Sequence, residues 1–125
     1  MQAISSLGDV FNMDNCTVTV NANGMSTRFH NGLQICARVL SRALGEMAES
    51  GTVFFAPLIG PVPFPQPFIE EPVQSITAAV SSTAAIWVGS GGASTTNWPS
   101  YYVLSNMKRT DTSVRVRYLA VGKWK

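Results

Sequence analysis

Asn31-Gly32-Leu33-Gln34-Ile35-Cys36-Ala37-Arg38-Val39-Leu40 is the stretch on which the fold turns. Read with a period of two, Leu33, Ile35, Ala37 and Val39 share one face while Gln34 and Arg38 point the other way, as in a half-buried strand. Read with a period of about 3.6, Leu33, Cys36, Val39, Leu40, Ala43, Leu44 and Met47 form an apolar stripe, with Arg42 and Glu46 one helical turn apart. The residues ahead of the stretch tip the balance. Met25 to His30 is a short extended run, and Asn-Gly between two extended runs signals a hairpin, because a type I′ turn needs positive φ at both central positions. With β-branched Ile35 and Val39 behind it, the stretch predicts a return strand over 33–40, followed by a loop or short helical turn at 41–51.

Working outward, Thr17-Val18-Thr19-Val20 is β-branched throughout and is stopped by the turn residues Asn21-Ala22-Asn23-Gly24. After Val53-Phe54-Phe55-Ala56 come prolines at 57, 61, 63, 65, 67 and 72. Such a run is neither helix nor central strand, since each proline lacks an N–H. Proline-rich runs also serve as ligands for aromatic grooves, but Phe64 and Phe68, spaced through this one, favour a loop pinned to its own core. Further strands are predicted at 73–80, at 84–88 around Trp87, and at 101–106 with one tyrosine on each face. Residues 89–96 read as an exposed Gly/Ser/Thr loop, and Asp111 as part of a turn. From Ser113 to Trp124 the chain alternates: Val114, Val116, Tyr118 and Ala120 face one way, Arg115 and Arg117 the other. Beyond Arg117 the second face turns apolar too, with Leu119 and Val121, and a strand apolar on both faces is covered on both. In a domain this small, contact with another subunit is a natural cover. About seven short strands separated by turn signals predict an all-β fold, an antiparallel β-sandwich.

At 125 residues the chain is the length of one domain. Charged residues are 13%, about half the roughly 25% usual in soluble proteins, and polarity comes instead from 13 Ser, 10 Thr and 7 Asn. A net charge of +2 gives no reason to expect nucleic acid as a partner. No apolar run approaches the roughly 18 residues of a spanning helix, so no membrane insertion is expected, and the first 25 residues lack the Lys or Arg of a secretory leader. Cys16 and Cys36 read as two buried free thiols; a bridge between them requires that their strands be neighbours. Residues 1–24 read as a lead-in from an upstream region, and 25–125 as the folded domain.

The order of the pieces carries a resemblance. Asn31-Gly32-Leu33-Gln34-Ile35 opens a strand, Val53-Phe54-Phe55 leads to Pro67-Phe68, Glu71-Pro72-Val73 starts the next strand, and the chain closes on Tyr118-Leu119-Ala120-Val121-Gly122-Lys123-Trp124-Lys125. Over residues 25–125 this resembles the C-terminal receptor-binding domain of bacteriophage tail-fibre proteins, the group similar to H-type lectins. The resemblance implies a β-sandwich that assembles as a homotrimer at the distal end of a fibre on the virion. It would be joined to an upstream fibre shaft and face the host-cell surface, where it would bind a glycan or protein receptor. It leaves two alternatives: a structural trimerisation or capping knob, and a cellular lectin-like module.

Catalysis is not expected. The sole histidine, His30, lies beside the hairpin turn with no nucleophile-elbow motif. Glu70 and Glu71 are adjacent, so in an extended chain their carboxylates diverge. One His and two separated Cys do not make a zinc site within one chain, and Gly89, Gly91 and Gly92 lack the spacing of a phosphate loop. No metal or cofactor is implied. For ligand binding the candidates are Asn97, Trp98, Tyr101 and Tyr102, where aromatic faces beside an amide suit a sugar ring, and Arg115 and Arg117, which suit a carboxylate on a ligand or on a neighbouring subunit. The competing reading makes Trp98 and one tyrosine caps on the core.

Overall fold

The computed structural model describes residues 15–81, 85–92, 94–110 and 113–125. Among these residues the chain is all-β, with eleven strands and no helix: β1 (Cys16–Asn21), β2 (Gly24–Phe29), β3 (Leu33–Arg42), β4 (Ala48–Ser50), β5 (Val53–Phe55), β6 (Val62–Pro63), β7 (Val73–Ala79), β8 (Ile86–Ser90), β9 (Asn97–Trp98), β10 (Tyr101–Ser105) and β11 (Val114–Lys123). They build a five-stranded sheet ordered β1-β2-β3-β11-β7, a four-stranded sheet ordered β4-β5-β10-β8, and the small β6-β9 pair. All pairings are antiparallel. The lead-in at 1–14, the start of the strand expected at 84 and the Asp111 turn lie outside the described residues.

The strand reading of the deciding stretch holds, and the reason is its partner. β3 pairs with β11 along its whole length, from Leu33 opposite Lys123 to Arg42 opposite Val114. The hairpin into it is present, but its turn is not type I′. Three residues, 30–32, connect β2 to β3, the Gly32 N–H donates to the Phe29 carbonyl at 3.0 Å, and only Gly32 carries positive φ, at 102°. A three-residue loop closed by one left-handed glycine is the next commonest hairpin solution. Here the chain's end selects it: Trp124 donates its backbone N–H to Gly32 O at 2.9 Å and its Nε1–H to Phe29 O at 2.8 Å.

The faces of β3 are the reverse of those expected. Gln34 and Cys36 are buried, opposite Gly122 and Ala120 of β11, while Leu33 and Val39 are exposed. Parity is set by β11, whose Val114, Val116, Tyr118 and Ala120 all face the core, and a strand's register fixes every side chain's face at once. Arg38 consequently points inward opposite Tyr118, where its guanidinium stacks 5.1 Å from the ring centroid.

Between the two large sheets lies one core. Cys36, Val114, Val116 and Ala120 come from the five-stranded sheet and Tyr101 and Val103 from the four-stranded one, with Leu44, Met47 and Ala56 from connections. The proline-rich segment closes one end, pinned as expected by Phe64 and Phe68, both buried. Phe64 packs edge-on against Phe68 at 5.0 Å and against Trp98 at 4.7 Å, and Trp98 tilts onto Tyr118 at 5.3 Å. Gly122 lets this segment cross the end of β11, for a Cβ there would lie 2.9 Å from Phe68 Cδ1 and 3.2 Å from Pro72 Cα. Residues 16–21, inside the lead-in expected at 1–24, are the edge strand of the five-stranded sheet. Both cysteines are buried and not bridged to each other, and β2 separates their strands.

The Tyr118 hydroxyl donates to the Tyr101 hydroxyl at 2.8 Å. Burial, that hydrogen bond and the proximity of Tyr101 hold the Tyr118 pKa well above the ordinary tyrosine value of about 10. The folded state therefore keeps this proton more tightly than the unfolded chain. Its contribution to stability is complete below about pH 10 and is lost as pH rises beyond that. Urea midpoints measured from about pH 9 to 11.5 are expected to fall across the upper half of the range. Tyr118→Phe should flatten that fall; an unchanged slope would mean that Tyr118 does not carry it.

Candidate functional site

The six candidate ligand residues lie in three places. Trp98 is wholly buried and Tyr101 is 1% exposed. Trp98 sits within the aromatic cluster and donates Nε1–H to Asn23 O at 3.1 Å, so neither ring has a face to offer a ligand, and the core-capping reading is correct for both. Asn97 is half-buried in β9, with its backbone N–H donating to Ser94 Oγ at 2.9 Å. Tyr102 alone among the aromatic candidates faces outward, at 38% exposure, because β10 alternates and sends 101, 103 and 105 inward. Arg115 and Arg117 stand on the opposite side of the molecule, on the outer face of the five-stranded sheet.

Tyr102 belongs to an apolar surface on the outer face of the four-stranded sheet. One cross-strand row there runs Ala48, Phe55, Leu104, Trp87, and Tyr102 lies beside it opposite Gly89. Ser50, Val53, Phe55, Tyr102 and Leu104 line a depression of about 440 Å³. Phe55 and Tyr102 meet edge-to-face, with centroids 5.4 Å apart and planes at 83°. Trp87, about which the strand at 84–88 was expected, is 42% exposed on the adjoining strand. The sequence reading missed Phe55, Leu104 and Trp87 as surface residues. The available signal was the unbroken Val53-Phe54-Phe55 run, since alternation in a strand must turn part of such a run outward.

The outer face of the five-stranded sheet is apolar over a larger extent. Two complete rows cross all five strands: Val73, Val121, Ile35, Thr27, Val18 and Ser75, Leu119, Ala37, Met25, Val20. Val73 is 80% and Val20 73% exposed, and Leu119, Met25 and Val18 are also open. Solvent-exposed apolar patches of this kind mark interaction surfaces. Toward one end stand Arg115, flanked by Ser41 and Ala79, and Arg117, flanked by Val39 and Thr77, so no carboxylate sits beside either in the ladder. The two guanidinium groups line a cleft of about 240 Å³ together with Ala79, Val80, Ser81 and Ser113.

This architecture has a counterpart among solved structures. The N-truncated R1-type pyocin tail fibre superimposes with a TM-score of 0.55 at 16% identity, over 98% of this chain and 99% of that one. The two share a fold. A longer C-terminal piece of the R1 pyocin fibre of P. aeruginosa aligns at 16% identity with a TM-score of 0.48, over 96% of this chain and 32% of that one. No family model and no curated protein matches the sequence.

Proposed function

We infer that the chain is a tail-fibre domain of a phage or pyocin particle, placed at the distal tip, which assembles as a homotrimer and attaches to a host-cell surface carbohydrate without catalysing a reaction. The observation that carries this reading is the fold shared with the R1-type pyocin tail fibre over nearly the full length of both chains. The outer face of the five-stranded sheet supports the assembly half. Two rows spanning five strands, apolar except for Thr27 and Ser75, are a surface that water covers poorly, and burying their apolar members against copies of the chain recovers roughly 25 cal/mol for each Å² removed. Arg115 and Arg117 then border the subunit contact. With Trp98 and Tyr101 committed to the core, the receptor half rests on other surfaces, and a structural knob without a receptor site is the competing reading.

Light scattering tests the assembly. The expected mass is about three times the 13.4 kDa of the chain, and Met25→Glu or Leu119→Glu, each placing a charge within one of the cross-strand rows, is expected to yield folded monomers. A wild-type monomer would overturn the assembly. Adsorption of the labelled trimer to host cells tests the receptor half; intact trimers that bind no cell surface would favour the knob.

A further inference from the structure

We propose that the outer face of the four-stranded sheet is the ligand site, and that it takes an uncharged pyranoside. This assignment deepens the host-attachment reading and rests on it. The depression of about 440 Å³ falls within the roughly 300–1,000 Å³ of small-molecule sites. Its chemistry suits a sugar with a hydrophobic C–H face: two aromatic rings at 83° make a floor and a wall, and Tyr102 and Ser50 bring hydroxyls to meet those of the ring. None of the lining side chains is charged, in contrast to the Arg115 and Arg117 cleft, so nothing there compensates the desolvation of a phosphate or carboxylate. Gly89, opposite Tyr102 in the ladder, bears no side chain, and Leu104 takes that space: its Cδ1 lies 3.1 Å from where a Cβ on Gly89 would stand, so the apolar wall beside Tyr102 is Leu104.

Size and placement argue against a protein occupant. Five lining side chains fall far short of the roughly 800 Å² per partner of a stable protein interface. The larger apolar surface, suited to another copy, is on the far side of the sandwich. Assembly through that side leaves this one facing outward in every subunit, so that weak sites act together on a surface bearing many copies of one sugar.

Saturation-transfer NMR on the full chain, with uncharged methyl hexosides, 6-deoxyhexosides and N-acetylhexosaminides as probes, tests the site, with a hexose 1-phosphate as the charged comparison. Expected is transfer to the ring C–H protons of at least one uncharged probe. Tyr102→Ala should weaken binding about ten-fold or more, Tyr102→Phe should retain most of it, and Arg115→Ala should not change it. Phe55→Ala is the second variant should Tyr102→Ala disturb folding, and is expected to weaken binding as well. Transfer to the phosphate alone, or affinity lost in Arg115→Ala and kept in Tyr102→Ala, overturns the proposal. Cell adsorption measured in parallel separates the two levels. Adsorption that survives Tyr102→Ala overturns this site and leaves host attachment standing, whereas a wild type that never adsorbs overturns host attachment itself.

Discussion

Trp98→Ala is expected to lower folding stability by about 3–5 kcal/mol, the range for deleting a buried aromatic side chain. At fixed protomer concentration that corresponds to a fall in Tm of roughly 10–20 °C. Trp98 is wholly buried and touches both Phe64 of the proline-rich segment and Tyr118 of β11, so its removal opens a cavity where three parts of the chain meet. Its Nε1–H also satisfies the Asn23 carbonyl in the β1–β2 turn, and that acceptor loses its partner. Trp98→Phe separates the contributions: it keeps an aromatic ring and loses the hydrogen bond, for an expected cost of about 1–2 kcal/mol. Against a total of about 5–15 kcal/mol for a typical domain, the alanine variant should be near unfolding at physiological temperature. A loss below about 1 kcal/mol, with sugar binding abolished instead, would return Trp98 to the role of a ligand residue.

The elements that sequence patterns disclosed are those whose partners follow the same alternation. β11 was legible because Val114, Val116, Tyr118 and Ala120 face a core while Arg115 and Arg117 face away, and β7 and β10 fall close to their expected limits. β3 was legible as a strand but not as to its faces. Its outer residues, Leu33, Ile35, Ala37 and Val39, are the more apolar set, and its inner set includes Gln34, whose buried amide is met by a carbonyl 32 positions away. Periodicity carries no information about such a partner. β6 and β9 are two residues each and exist because the proline-rich segment docks beside 97–98; neither has a local pattern to read. β4 is likewise three exposed residues paired to β5.

The candidate site was legible only in part, for a related reason. The split of Tyr101 and Tyr102 between faces followed from alternation alone. That Trp98 is core follows from Phe64 and Tyr118 arriving on either side of it, one from 34 positions before and one from 20 after. Grouping Trp98, Tyr101 and Tyr102 by closeness in sequence joined residues that the sheet separates. The row that does place aromatics together, Phe55, Leu104 and Trp87, draws on three strands spread over 50 positions. The apolar second face of β11, by contrast, could be read locally, and the structure extends it from Leu119 and Val121 into two rows across the sheet.

Gln34→Leu is expected to cost about 2–4 kcal/mol although it replaces a polar side chain with an apolar one of similar volume at a wholly buried position. Prolines explain why. A segment rich in them offers carbonyls but few N–H groups, so beyond the short β6–β9 pairing and the N–H groups of Phe64 and Phe68, which donate to Thr96 O and Thr95 O, it is held by side-chain donors. Asn21 Nδ2 donates to Pro65 O at 3.2 Å, Gln34 Nε2 to Gln66 O at 2.9 Å and Arg28 Nη2 to Pro67 O at 2.8 Å. Gln34 also orients Arg28, accepting from its Nε at 2.7 Å, while Ser26 Oγ donates to Gln66 Oε1 at 2.9 Å. Leucine would leave the Gln66 carbonyl without its donor and the Arg28 Nε–H without its acceptor, and the bond to the guanidinium is the stronger of the two. A double-mutant cycle of Gln34→Leu with Arg28→Ala should show coupling above about 0.5 kcal/mol; coupling near zero would mean that Gln34 and Arg28 hold the proline-rich segment independently of each other. The same network keeps those two rings against Trp98, so Gln34→Leu should also increase hydrogen exchange at the Trp98 amide before global unfolding sets in.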